Sequence, residues 1–202
     1  MPAAEFTVAE ASWVTGLSMK AVNKAIEDAA VPIRIVRAGV VRRRYLPYAS
    51  LLCLQLHAEG LKRLPLRMRR EVFRRVLSKP QQKQLKYTDA LIIDVRGARG
   101  KMSGRLQNLE KISGTVHSDP EIMAGIPVFR GTRIPVYLIA DMVEQGTPVN
   151  EIIEGYPSLS REMVEYAEIY ATTHPRRGRP PVQPWSGKKP VARKKGKLRR
   201  VA

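Results

Sequence analysis

Lys20, Asn23 and Lys24 recur at three- and four-residue intervals, upstream of an uninterrupted Arg42-Arg43-Arg44. Lysine and arginine neutralise phosphates, and asparagine beside lysine supplies the hydrogen-bonding groups that read base edges. The interval places Lys20, Asn23 and Lys24, with Met19, on one outward side of a helix. Chemistry of other kinds is not written in the pattern. The three histidines, His57, His117 and His174, stand far apart without a nucleophile or ligand partner. His57 lies among leucines and reads as a core or helix-surface residue. Cys53 is the one cysteine, so neither an internal disulfide nor a zinc module is expected, and it reads as an inert buried thiol. No catalytic residue, metal site or cofactor is expected, and the chain is not read as an enzyme.

These side chains need elements to hold them. Thr7-Val8-Ala9-Glu10 is a capping box that opens a helix running to about Thr15. Gly16 breaks that helix in a tight turn, and Ser18 caps a second one reaching about Ala29. Ser12 is small where the two helices approach, and Leu17, Val22 and Ala25 lock the pair. Ile33–Arg37 and Val40–Leu46 then read as two β-branched strands around Ala38-Gly39. Helix, glycine turn, helix and hairpin resemble a winged helix of the MerR-like or excisionase-like kind. That resemblance implies that Ser18, Met19, Lys20, Asn23 and Lys24 face DNA, with Arg42, Arg43 and Arg44 on or beside the wing, near phosphates. Pro47–Glu59, stopped by Gly60, and Leu66–Leu77 are further helices. The second carries five arginines that either lie on a DNA backbone or stay in water while the helix packs on a partner. Ala90–Val95 reads as a strand without an obvious neighbour, joining the N-terminal sheet or pairing across a dimer. Gly97–Gly100 reads as a hinge or boundary, and Lys101–Ile112 as a helix.

From about Ile112 the texture changes. Gly and Pro recur at fixed offsets, and two extended pieces flank the turn Arg130-Gly131-Thr132-Arg133. Three helices follow: Pro135–Gln145, one opened by Thr147-Pro148 and running to Tyr156, and one capped by Ser160. The run Gly125-x-Pro127-x-Phe129-x-Gly131-Thr132-Arg133-Ile134-Pro135-Val136, then Gly146-Thr147-Pro148 and Tyr156-Pro157-Ser158-Leu159-Ser160, resembles a small bacterial antitoxin domain long catalogued only as a domain of unknown function. The likeness covers about Ser118 to Thr173. It implies a three-helix, helix-turn-helix-like fold after a short hairpin, encoded beside a PIN-type or PIN-like ribonuclease toxin. With a winged helix in front, the arrangement is similar to a subset of VapB-type antitoxins. Gly125, Pro127, Arg130, Gly131, Thr132, Arg133 and Pro135 then carry the family motif and are candidate partner contacts. Gly131 suits a purely structural turn, whereas Arg133 suits a core-bridging salt bridge and a partner contact equally. Helix acids (Glu144, Glu151, Glu154, Glu162, Glu165, Glu168) disfavour a second DNA-reading surface here and fit dimerisation or toxin docking.

The 202 residues carry 36 Lys+Arg against 18 Asp+Glu, a net charge of +18. Residues 1–80 hold 15 basic and 6 acidic side chains, 81–173 hold 10 and 12, and 174–202 hold 11 and none. Two basic ends around a near-neutral middle point to nucleic acid. The tail 174–202 has five Pro and three Gly and too few apolar residues to order itself alone. Within it Arg177-Gly178-Arg179-Pro180 matches an AT-hook core, whose Arg177 and Arg179 fit a narrow A·T-rich minor groove. The rest suits phosphates, or a clamp on the acidic metal site of a PIN nuclease. No secretory signal and no membrane-length apolar run is seen, so the expected location is the cytoplasm, at the nucleoid when DNA is bound.

The expected fold is mainly α with small β elements: an N-terminal winged helix-turn-helix, a C-terminal three-helix domain with a short β-hairpin, then a disordered basic tail. The expected divisions are 1–80, a strand and linker or dimerisation segment at 81–115, 116–173, and 174–202. The function expected is an antitoxin, dimeric within a larger complex, that neutralises a PIN-type ribonuclease toxin and represses its own operon. The alternative is a stand-alone DNA-binding regulator or nucleoid-associated protein without a toxin. A third reading, an RNA or ribosome binder, suits the tail but leaves the wing without a use.

Overall fold

The computed structural model describes residues 5–29, 31–38 and 41–176. Within them the chain is mainly helical, with three small antiparallel sheets. Strand β1 (Glu5–Thr7) leads into α1 (Val8–Thr15), opened by the expected capping box. Thr7 Oγ1 accepts from the Glu10 amide at 3.2 Å, and the Glu10 carboxylate accepts from the Thr7 amide at 2.7 Å. Gly16 turns left-handed at φ 71°, and α2 (Met19–Ala29) follows. Strands β2 (Arg34–Ala38) and β3 (Val41–Pro47) form a hairpin, and β1 pairs on the far side of β3, giving the order β1-β3-β2.

Helix α3 (Tyr48–Glu59) is the centre of this unit. Every residue from Ser50 to His57 is buried, because α1, α4 and the sheet cover it from different sides. Its buried Ser50 hydroxyl is satisfied by the Pro32 carbonyl at 2.7 Å. Helix α4 (Leu66–Ser78) adds Val72, Phe73 and Val76, and each fully buried side chain of this size contributes about 1.5–3 kcal/mol. Cys53 is fully buried, and burial pushes its thiol up to about 12, which keeps it unreactive.

Residues 81–115 depart from expectation. The strand β5 (Leu91–Asp94) neither joins the N-terminal sheet nor stands alone. It pairs antiparallel with β4 (Gln84–Thr88), with Leu85 opposite Ile93 and Lys86 opposite Ile92. The glycine-rich stretch after it is no hinge. Helix α5 runs unbroken from Val95 to Thr115 through Gly97, Gly100, Gly104 and Gly114. Asp94 caps it by accepting from the Gly97 amide at 2.9 Å. Val95, Ala98, Met102, Leu109 and Ile112 are buried at spacings of three, four and seven, so packing overrides low propensity. Val95 to Leu109 belong to the N-terminal core, and Ile112 belongs to a second core.

That second core is built by the short ribbon β6 (Val116–His117) and β7 (Val128–Phe129) with α6 (Val136–Glu144), α7 (Val149–Gly155) and α8 (Arg161–Thr173). Ser160 caps α8, as expected from the sequence. Proline ends up one residue before α6 and α7 rather than inside them, since Pro135 and Pro148 occupy the N-cap positions. Ile169 on α8 packs against both cores. His174 and Arg176, read from the sequence as the start of a disordered tail, are docked. The His174 ring stacks on Tyr170 at 4.3 Å, and its carbonyl accepts from the Tyr137 hydroxyl at 2.6 Å. Arg176 bonds Asp141 at 2.7 Å and lies over the Tyr137 ring. Arg177 and Arg179 lie outside the described residues.

Candidate nucleic-acid interface

The outward side of α2 follows from what its inward side buries. Val22, Ala25 and Ile26 face the core, which leaves Lys20 and Lys24 exposed, Asn23 half-buried and Met19 48% exposed. The tight turn is fixed by the Ser12 hydroxyl donating to the Leu17 carbonyl at 2.6 Å. Ser18 Oγ accepts from the Ala21 amide at 3.2 Å, so Ser18 acts as a helix cap. At the C-terminal end of α2, Arg70 from α4 donates to the Asp28 carbonyl at 2.9 Å, placing a cation on the negative end of the helix dipole.

Helix and hairpin form one surface. Arg44 donates to the Asn23 side-chain oxygen at 3.1 Å and to Glu27 at 3.3 Å. The Asn23 amide nitrogen meanwhile donates to the Met19 carbonyl at 3.0 Å. Strand alternation puts Arg42 on the same face of β3 as Arg44, and the register sets Arg37 opposite Arg42. Arg43 points to the other face, beside Val36. Arg37 is the residue that reading the sequence missed; the signal lay in its register with Arg42, visible only once the hairpin turn is fixed. Lys20, Lys24, Arg37, Arg42 and Arg44 thus give a cationic surface around a single amide side chain. The exposed side chains can neutralise phosphates, and Asn23 can exchange its protein partners for a base edge.

The arginines of α4 are largely committed within the protein. Glu71 binds both Arg74 and Arg75, and the Arg75 hydrogen bond, then the two nearby charges, hold its carboxyl below the usual range. The Arg75 guanidinium also lies 5.3 Å from the Tyr87 ring centre. Arg70, Arg74 and Arg75 thus have partners within the chain, while Arg67 is exposed and Arg69 Nε is buried without a hydrogen-bond partner among the described residues.

The motif of the C-terminal unit is chiefly a folding device. Gly125 and Gly131 are left-handed, at φ 81° and 78°. Thr132 Oγ1 donates to the Phe129 carbonyl at 2.9 Å and accepts from the Ile134 amide at 3.1 Å. The Pro127 carbonyl accepts from the Val136 amide, and Pro135 bridges Val128. Arg130 clamps the turn to the end of α5, donating from Nε to the Gly114 carbonyl at 2.9 Å and from its amide to Thr115 at 2.8 Å. Arg133 is exposed and forms no salt bridge among the described residues, so it does not bridge the core.

The motif and the cationic surface are separate, and α5 joins them. Arg105 donates to the Trp13 and Val14 carbonyls, both at 3.0 Å, at the end of α1 just before the Gly16 turn. A cleft at the same junction brings His117 and His174 together with Glu10, Ser113 and Tyr170, although the sequence separates them widely. No group of three or more His, Cys, Asp or Glu among the described residues is placed to hold a metal ion. Among the described residues no helix is long and apolar enough to cross a membrane.

Residues 116–171 match the family model described as protein of unknown function (DUF433). An uncharacterised protein, y4eO, of Sinorhizobium fredii (strain NBRC 101917 / NGR234) is 33% identical over 182 residues, covering 84% of this chain and 81% of the relative. A solved structure, the X-ray crystal structure of Rv2018 from Mycobacterium tuberculosis, is 13% identical, with 81% of this chain and 96% of that chain covered and a TM-score of 0.36.

Proposed function

The chain belongs to the same family as the Sinorhizobium protein y4eO, and from that premise we propose that it is a DNA-binding antitoxin of the VapB type. Its N-terminal unit, read as a winged helix, binds the operator of its own operon. Helix α2 enters the major groove with Lys20, Asn23 and Lys24, while Arg37 and Arg42 hold the flanking phosphates. The observation that carries the DNA half is the Arg44 bond to Asn23, which ties hairpin and helix into one cationic surface. The toxin half is supported by the resemblance of residues 118–173 to antitoxin domains and by the acids on their helices. A PIN-type ribonuclease docks on this unit, and its metal-site carboxylates are met by the basic residues beyond Arg176.

Two measurements test this. The tagged chain coexpressed with the product of its neighbouring gene should co-purify with a small nuclease and rescue growth. A preparation carrying nucleic acid but no protein partner would instead make the chain a stand-alone regulator. Separately, Lys20→Ala combined with Asn23→Ala should cost at least roughly 30-fold in operator affinity, since two base contacts worth about 1–3 kcal/mol each sum to about 2–6 kcal/mol. Binding to unrelated DNA should fall far less, and toxin binding should be unchanged. An intact operator footprint in the double variant would remove α2 from the reading surface.

A further inference from the structure

Among the described residues, strand β5 is paired on one side only. Its other edge runs along a groove lined by Leu56, Leu61 and Leu64 together with all four residues of β5. We propose that this edge is the seam of a homodimer, in which β5 pairs antiparallel with β5 of a second copy about a twofold axis at Ile92.

Three observations carry it. A two-stranded sheet is marginal by itself, and a twofold seam would convert two such hairpins into one four-stranded sheet. Ile92 is 56% exposed, the most exposed large apolar side chain among the described residues. The edges at β2 and β4 carry charges that discourage pairing: Arg34 and Arg37 on β2, Lys86 on β4. On β5 the single charge is Asp94, and its carboxylate is engaged in capping α5.

The register follows from alternation. An axis through Ile92 sets Leu91 opposite Ile93 and Ala90 opposite Asp94, so no like charges meet. Leu91 and Ile93 share the core-facing side, which puts both bodies on the same side of the joined sheet and turns the groove leucines toward each other. The two Ile92 side chains then face each other across the open side, with Cβ atoms about 4.5–5.5 Å apart. Charge selects the occupant. The groove lining carries two acids, Glu59 and Asp94, and no cation, and Glu59 is paired to Lys101 at 3.4 Å. On a chain of net charge +18, a groove with no cation in its lining is where a second copy can approach without strong repulsion.

The test needs neither DNA nor toxin, so its outcome is independent of the function proposed above. The full chain is stripped of nucleic acid in 1 M salt, as a test condition of low electrostatic screening length, and its mass is measured by light scattering after gel filtration. The wild type should weigh two chains at tens of micromolar. Ile92→Lys should weaken the dimer roughly 100-fold, because the change acts from both sides of a twofold. Ile92→Cys, smaller but still weakly polar, should be captured as a covalent dimer by a short bis-maleimide. Wild-type chain should not be captured, since Cys53 is fully buried. A single-chain mass for the wild type overturns the proposal. So does a dimer that survives Ile92→Lys with Ile92→Cys left uncaptured.

Discussion

His57 is buried near the end of α3, and its Nδ1 has no hydrogen-bond partner among the described residues. Burial first, then the charges of Arg69 and Lys62, lower its pKa from the ordinary value near 6.5, while Asp28 pulls weakly the other way. A histidine held below its unfolded value prefers to be neutral in the native state. Its contribution to stability is therefore complete above about pH 6.5 and is lost as pH falls through the window between that value and the lowered native one. Melting temperature should fall on acidification from pH 7.5, and His57→Gln should flatten that fall. An equally steep fall in the variant would assign it to other groups. His57 was legible as a core residue from its leucine neighbours, but Arg69 beside it was not, because only the packing of α4 on α3 brings them together. The same holds for Asn23, whose spacing is visible in the sequence while its bond to Arg44 depends on a hairpin register set 21 residues downstream.

Elements were legible where their signals are local. Thr7 with Glu10, left-handed Gly16, and Ser160 before α8 each announce a boundary within four residues, and the observed helices start and stop there. Helix α5 was not, because four glycines argue against a helix that burial along one stripe then stabilises. Nor was the pairing of β5, since β4 alternates polar and apolar residues too briefly to read as its partner. The glycines of α5 also make a prediction at this scale. A Cβ at Gly100 or Gly104 would meet nothing within 4 Å, and neither residue has a positive φ. Alanine at either position should therefore stabilise the chain by up to about 1 kcal/mol, by reducing the freedom of the unfolded state and raising helix propensity. At Gly97 the outcome should reverse, because a Cβ there would lie 2.3 Å from Asp94 Oδ2 and displace the cap. Urea melts of the three single variants measure this, and a destabilised Gly100→Ala would mean that α5 is less continuous than its packing implies.

At the scale of the whole molecule, positive charge is divided between a folded surface and a terminal segment. Residues 177–202 hold ten of the 36 Lys+Arg. The division between the two is drawn after Arg176, because Arg176 and His174 brace α6 against α8 through Tyr137, Tyr170 and Asp141. A deletion meant to remove the basic segment must therefore begin at 177, or it will weaken the C-terminal unit as well. Such a deletion separates two contributions to DNA binding that affinity alone would merge. Each phosphate neutralised adds about 0.9 to the magnitude of the slope of log K against log salt, so ten engaged cations would contribute about 9, and Arg177 with Arg179 alone about 2. The truncated chain should bind with a shallower slope while keeping its preference for operator over unrelated DNA, since that preference is assigned to α2. A slope unchanged by the deletion would mean that the segment meets no DNA phosphate, leaving the acidic site of a protein partner as the place for its charge.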